Sequence, residues 1–304
     1  MNNFNKLLLA KPPLRGAHRL KTTQSSADYC LDSIRKYDYE NFMCTLLLKG
    51  SARSIAVAVR SFNVEVSRVA EQVSQSNIGL MRLKFWEEAV DKCYSKDILQ
   101  VPKHPVAVEL FKAISKVNLS RRYLKTLVSA RESNINGLNL KMLDDMEKYA
   151  EQTVSSTYYL VLEGCGVKNV DADHAVSHLG KAQGIVQQLR AIPHSKRLDF
   201  IPIPEEILIK HHVSQEQVLR AKETQKLSDC VYEVASRAHQ HLKKSRNLAG
   251  KVPKAGRNAL LPAVPVALYL DRLQKLDYNV LDPRLQNRPW KLWPSLYLSM
   301  LKNK

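Results

Sequence analysis

The sequence predicts an all-α protein, and three observations carry that prediction. Apolar residues recur at i, i+3 and i+4 through most of the chain, the spacing that places them on one face of a helix. No run shows the apolar/polar alternation of a half-buried strand. Helix punctuation, including Gly50, Pro105 and Pro193, falls between the periodic segments rather than inside them. The length of 304 residues fits one large domain or two average ones, and the 44% hydrophobic content is enough for a packed core.

The first helix is expected over 29–48, with Leu31, Ile34, Met43, Leu46 and Leu47 on its apolar side and Gly50 ending it. Ser51 is expected to cap a second helix running to about 73. Residues 80–94 carry Leu83, Trp86, Ala89 and Val90 at helical spacing. Pro105 opens the next helix, where its missing N–H costs nothing. The 140–162 segment begins with Asp144, Asp145 and Glu147, as the helix dipole favours. A helix over 174–190 is capped at or near Asp173 and stopped by Pro193. Pro202 and Pro204 frame a connector before helices near 214–220 and 226–248. A basic turn at 250–256 precedes the last expected helix, 259–277. Residues 28–280 therefore read as one helical domain, and 281–304 as a basic, aromatic tail.

Lys and Arg number 47 against 29 Asp and Glu, a formal net charge of +18. Such a surface draws anionic partners: nucleic acid, anionic lipid or an acidic protein face. Residues 1–27 hold Lys6, Lys11, Arg15, Arg19 and Lys21, hydroxyl side chains, an apolar Leu7-Leu8-Leu9 run and no acid, the composition of a mitochondrial transit peptide. No stretch offers the roughly 18 uncharged apolar residues of a membrane span. The five cysteines form no CxxC pair or zinc spacing and read as free thiols in a reducing compartment.

Leu179-Gly180-Lys181-Ala182-Gln183-Gly184-Ile185-Val186-Gln187-Gln188-Leu189-Arg190 resembles the second signature helix of the squalene/phytoene synthase family. The run from Arg53 to Glu71 resembles the first. Met81-Arg82-Leu83-Lys84-Phe85-Trp86, the 143–162 helix with its small Ser155-Ser156, Phe200-Ile201-Pro202, and Tyr269-Leu270-Asp271-Arg272-Leu273 with Tyr278-Asn279-Val280 resemble further marks of that family. The resemblance implies a single terpenoid-synthase-like helical domain around a central cavity. Enzymes of the family grip a prenyl diphosphate through Mg²⁺ held by Asp side chains of the two signature helices. Here the matching positions are Ser67, Arg68 and Glu71 on the first helix, and Ala191 and Ser195 on the second. An alanine coordinates nothing, and an arginine repels a cation at close range. The resemblance thus implies the fold without the metal clamp, no catalytic residue, no metal and no cofactor. Asn63, Glu65, Gln183, Gln187 and Arg190 are the expected residual pocket wall, with polar packing between helices as their alternative role.

Phe62-Asn63-Val64-Glu65, Ile78-Gly79-Leu80-Met81-Arg82 and the stretch from Ala172 to Ile185 resemble a mitochondrial, non-catalytic branch of the family. Its members help build respiratory complex I at the inner membrane. That likeness implies a peripheral protein on the matrix side. Its partners would be complex I subunits or other assembly factors, and the anionic inner-membrane lipid surface. The alternatives are an active prenyl-diphosphate transferase with a rearranged site, or an isoprenoid or lipid carrier.

Two basic zones remain. Residues 234–270 lack acids, and so does the chain after Asp282, where Trp290, Lys291 and Trp293 suit a membrane interface. Pro289 and Pro294 weigh against one continuous amphipathic helix there, and packing of this tail on the body is the other reading. Nucleic-acid binding needs a docking module as well as charge, and none is evident. His174 and His178 stand at i, i+4, but no third ligand has suitable spacing, so no metal site is expected. His239 and His241 point to different faces of a helix and receive no role.

Overall fold

The computed structural model describes residues 24–135, 137–198, 200–222 and 224–303. Residues 1–23 of the expected transit segment lie outside it. Among the described residues the regular structure is helical, with no strand. The helices are α1 (Ser26–Tyr37), α2 (Tyr39–Leu46), α3 (Gly50–Ser67), α4 (Ser76–Cys93), α5 (Pro105–Lys116), α6 (Arg121–Ile135), α7 (Leu143–Ala150) and α8 (Ser156–Gly164). They continue with α9 (Val170–Ala191), α10 (Ser195–Leu198), α11 (Glu205–Lys210), α12 (Gln215–Leu219), α13 (Gln225–Leu248), α14 (Lys254–Arg257), α15 (Ala263–Gln274) and α16 (Leu292–Lys302).

The caps are local and legible. His104 Nδ1 accepts from the Val106 N–H just ahead of Pro105. Asn169, rather than Asp173, caps α9 by accepting from the Ala172 N–H. Ser214 and Thr224 cap α12 and α13. Helix α8 ends in a left-handed turn. Gly166 takes φ +72°, its N–H reaches the Glu163 carbonyl, and the Val167 N–H reaches that of Leu162, satisfying the last carbonyls of the helix. Helix α3 begins at Gly50 and carries no side-chain cap, so Ser51 lies inside its first turn.

Two departures from the expected elements matter for the site. The first helix breaks at Asp38, whose φ of −140° and ψ of 51° leave the helical region, and α2 starts anew at Tyr39. The long 143–164 helix contains a π-helical turn over Glu151–Ser155. Such a turn inserts one residue into the ladder and shifts the side chains on either side.

Two large apolar clusters form the core. One gathers α1, α3, α4, α5 and α6 around Ile34, Phe62, Leu83 and Leu124; the other gathers α7, α8, α9, α13 and α15 around Met146, Tyr158, Leu179 and Val231. Helices α3 and α8 join the two, since Ile55 belongs to the first and Ala56 to the second. Helix α9 is central and packs most extensively on α13. On its other side it meets the π-turn at backbone distance. A Cβ on Gly180 would lie 2.6 Å from Ser155 Cα, and one on Gly184 would lie 2.9 Å from Ala150 Cα. The 285–303 stretch packs on the body through Leu285, Leu292 and Leu296.

The glycine contacts give a direct test. Alanine at Gly180 gains about 1 kcal/mol of helix propensity, but its methyl meets backbone that cannot move aside, and overpacking of this kind costs about 2–3 kcal/mol. Gly180→Ala is therefore expected to lower the thermal midpoint despite being a better helix former. An unchanged or raised midpoint would show that α9 can slide away from the π-turn.

Candidate functional site

A cavity of about 490 Å³ opens between α2, α3, α9, α15 and the 285–289 segment. Among the described residues its wall holds five arginines, Arg60, Arg131, Arg190, Arg272 and Arg288, but only two carboxylates, Asp38 and Glu40. Each carboxylate is already engaged. Asp38, at the break between α1 and α2, lies 3.6 Å from Arg60 and accepts from Asn41 Nδ2 at 2.8 Å. Burial pushes its pKa up, while Arg60 and Asn41 pull against that rise. Glu40 takes Arg190 in a two-point pair, with Nη1 and Nη2 donating at 2.9 and 3.0 Å. The Arg190 guanidinium also lies 4.5 Å over the Tyr269 ring, whose hydroxyl is pushed up to about 12 by burial.

Arg131, buried on α6, donates to Asn63 Oδ1 at 2.6 Å and to the Leu127 carbonyl at 3.0 Å. Burial lowers its pKa, yet a guanidinium starts high enough to stay charged. Tyr158 donates its hydroxyl to Gln183 across the cavity floor. The Nε atoms of Arg60 and Arg131 are buried without a partner. A wall with more arginines than carboxylates favours anions over cations.

This donor set does not fit Mg²⁺. A hard divalent ion needs free carboxylate oxygens, and here both carboxylates of the wall are held by guanidinium groups.

The α3 side chains that reach the cavity are Arg60, Asn63, Val64 and Ser67, one helical face at i, i+3, i+4 and i+7. Asn63, Gln183, Gln187 and Arg190 line it together, as does Ser67, whose Oγ donates to the Val64 carbonyl. The other expected residues go elsewhere. Arg68 stacks 3.5 Å over the Tyr37 ring. Glu71 is exposed in the 3-10 turn after α3. Glu65 accepts from the Tyr29 hydroxyl at 3.1 Å and lines a separate groove with Met81, Trp86 and His104. Ala191 sits at the end of α9, and Ser195 is buried with its Oγ on the Ile192 carbonyl. Trp290 and Trp293 are exposed, and Lys291 Nζ lies 5.4 Å from the Trp290 ring centroid.

Sequence reasoning missed Asp38, Glu40, Arg60 and Arg131. For Arg60 a signal existed: it is a lone cation inside the apolar run from Ile55 to Val66. For Asp38 and Glu40 there was none, because their partners come from other helices.

A second polar cluster lies between α7, α9 and α13. His178 Nδ1 and His241 Nδ1 are 2.9 Å apart, and His241 Nε2 lies 3.2 Å from Glu147 Oε2. Arg237 also pairs with Glu147. Burial lowers the pKa of both histidines. The other ring and the cations Lys181 and Lys244 add to that at His178, against Glu151; at His241, Glu147 opposes it. His174 is exposed and takes no part.

The squalene/phytoene synthase family profile matches residues 34–293. The chain is 43% identical over 272 residues to a cattle (Bos taurus) protein named NADH dehydrogenase (ubiquinone) complex I, assembly factor 6. The match covers 89% of this chain and 80% of the relative. A Dictyostelium discoideum homologue of that factor is 31% identical over 287 residues, covering 92% of this chain and 78% of its own length. Among solved structures, a dehydrosqualene synthase superposes with a TM-score of 0.78 at 15% identity, covering 91% of this chain and 95% of that one. The squalene synthase HpnC of Alicyclobacillus acidocaldarius gives 0.73 at 16%, covering 84% and 95%. At such low identities these two likenesses bear on the fold alone.

Two measurements follow from the charged groups. Neutral histidines are favoured in the folded state, so below the ordinary range near 6.5 the unfolded chain binds more protons. Stability is expected to fall as pH drops from about 6.5 towards 5, with no contribution from the pair above that window. Thermal melts across this range should give a flatter profile for the His178→Gln/His241→Gln variant than for the parent; equal slopes would refute the assignment. For Glu40 and Arg190, a double-mutant cycle by urea unfolding is expected to return a coupling of about 1 kcal/mol, modest because the pair is partly wet. No coupling would mean that the pair does not hold α2 to α9.

Proposed function

The chain belongs to the squalene/phytoene synthase family, and we propose that it is a mitochondrial assembly factor for complex I, the NADH:ubiquinone oxidoreductase, that acts by binding rather than by turnover. The observation that carries the proposal is the match, across nearly nine-tenths of the chain, to relatives named as complex I assembly factors. The cavity supports it independently. Ser67, Arg68, Glu71, Ala191 and Ser195 are the degenerate clamp positions, leaving one acid where the synthases draw carboxylates from two helices. Of these five only Ser67 lines the cavity.

The arginines that remain are answered from within the chain. Asp38 meets Arg60 and Glu40 meets Arg190, so the wall is partly neutralised without metal or ligand. Asn63, Gln183 and Gln187 complete a polar wall that also ties α3, α6, α8 and α9 together. Ionising a prenyl diphosphate requires strong stabilisation of the departing pyrophosphate, and a wall without a metal clamp does not supply it. The protein therefore keeps the helical scaffold and offers its surface to complex I subunits or other assembly factors. Its place is the matrix side of the inner membrane, attached peripherally. No described helix is long and apolar enough to cross a membrane.

In mitochondria depleted of the protein, native gels and NADH:ubiquinone activity should show a selective loss of complex I. A copy carrying Glu71→Ala and Arg190→Ala should restore it. Intact complex I after depletion would overturn the proposal. So would release of pyrophosphate when the purified protein is given prenyl diphosphate and Mg²⁺, which would favour the transferase.

A further inference from the structure

We propose that the outer face of α16 is the surface on which the protein sits against an anionic lipid bilayer. This deepens, and rests on, the inner-membrane placement above. Helix α16 is apolar on two sides. Its inner side seals onto the body through Leu292, Leu296 and Met300, which pack with Cys44 and Leu261. Its outer side, with the preceding turn, presents Trp290, Trp293, Tyr297, Leu298 and Leu301, all between 41% and 80% exposed. These positions follow one another at i, i+3, i+7, i+8 and i+11, a single stripe set roughly a third of a turn round the helix from the buried side. Pro294 does not interrupt it, because it falls within the first turn of α16, where its missing N–H leaves no gap.

The charge around the stripe selects the occupant. From Pro283 to the end the chain has no acid, while Lys291 and Lys302 stand at the two ends of the helix. Beside the C-terminal end of α16 lies a groove of about 620 Å³ whose wall includes Lys49, Lys254, Met300 and Asn303, with no carboxylate among the described residues. Indole and phenol rings backed by leucines, with lysines at the edge, match the layered polarity of a bilayer interface and its anionic headgroups. Helix α16 has 11 residues, far too few to span, so it would lie in the membrane plane. A second copy fits less well. Pairing two such faces would set Lys291 and Lys302 against the same lysines of the other copy, a like-charge juxtaposition that disfavours association.

The test uses the full-length chain and its own tryptophans. Of its three, Trp86 is buried, so a change in emission reports on Trp290 and Trp293 and not on the N-terminal basic segment, which has none. Vesicles of phosphatidylcholine with cardiolipin should shift the emission to the blue, and vesicles of phosphatidylcholine alone should do so far less. Lys291→Gln/Lys302→Gln should weaken binding about thirtyfold, from roughly 1 kcal/mol per cation near an anionic surface. Tyr297→Ser/Leu298→Ser/Leu301→Ser should weaken it by about a hundredfold through lost apolar burial, with unchanged circular dichroism. Unmoved emission with cardiolipin vesicles would overturn the proposal, even if the protein pelleted with them, because another segment would then be the anchor. Equal binding by the serine variant would also overturn it. So would a lipid-free, concentration-dependent blue shift abolished by that variant, which would assign the face to a second copy. The complex I assay is independent of vesicle binding, so failure here would leave its result standing.

Discussion

Helix α9 lies so close to the π-turn at Glu151–Ser155 that only glycine fits at positions 180 and 184 without displacing backbone. Much of the architecture hangs on that approach. It lets one helix contact the 143–164 helix on one side and α13 on the other, and so sit at the centre of the larger core. With α9 anchored there, its rotation about its own axis is set. Gln183, Gln187 and Arg190 then face the cavity, while His178 meets His241 on α13. The small residues at 150, 155, 180 and 184 thus act upstream of the polar contacts that α9 makes.

The cavity is built around arginines whose partners come from distant parts of the chain. Asp38 is available because the first helix breaks at that residue, and Glu40 because α2 restarts immediately afterwards. Buried Arg131 is answered by neutral acceptors, Asn63 Oδ1 and the Leu127 carbonyl, whereas the Asp38–Arg60 and Glu40–Arg190 pairs use carboxylates that hold helices together as well as shape the pocket. They also set the limits of its chemistry. A carboxylate in a two-point grip with arginine has little capacity left for a metal ion. The same side chains that hold α2 against α9 therefore leave the wall poorly suited to Mg²⁺.

The 285–303 stretch packs on the body. It contributes Arg288 and Pro289 to the cavity wall and seals α16 onto α2 and the segment before α15, so the outer stripe is held at a defined place on the body. A segment that reads as a tail in the sequence is thereby coupled to the site. Arg288 stacks 3.9 Å over Tyr39, on the same helix as Glu40.

The chain's local pattern carried the helical class, the placement of most helices and the absence of carboxylates at Ala191 and Ser195, because periodicity, caps and residue chemistry are local properties. It also marked the exposed aromatic residues at 290 and 293. Only the tertiary structure decided which face of α3 meets the cavity and which acids answer the arginines. The register of α3 depends on where it packs, and a slip of one residue turns every side chain by about 100°. Arg190 and Glu40 are 150 positions apart, Arg131 and Asn63 are 68, and His178 and His241 are 63. Pairs of that kind leave no periodic trace in the chain, since what brings them together is the packing of helices that are remote in sequence.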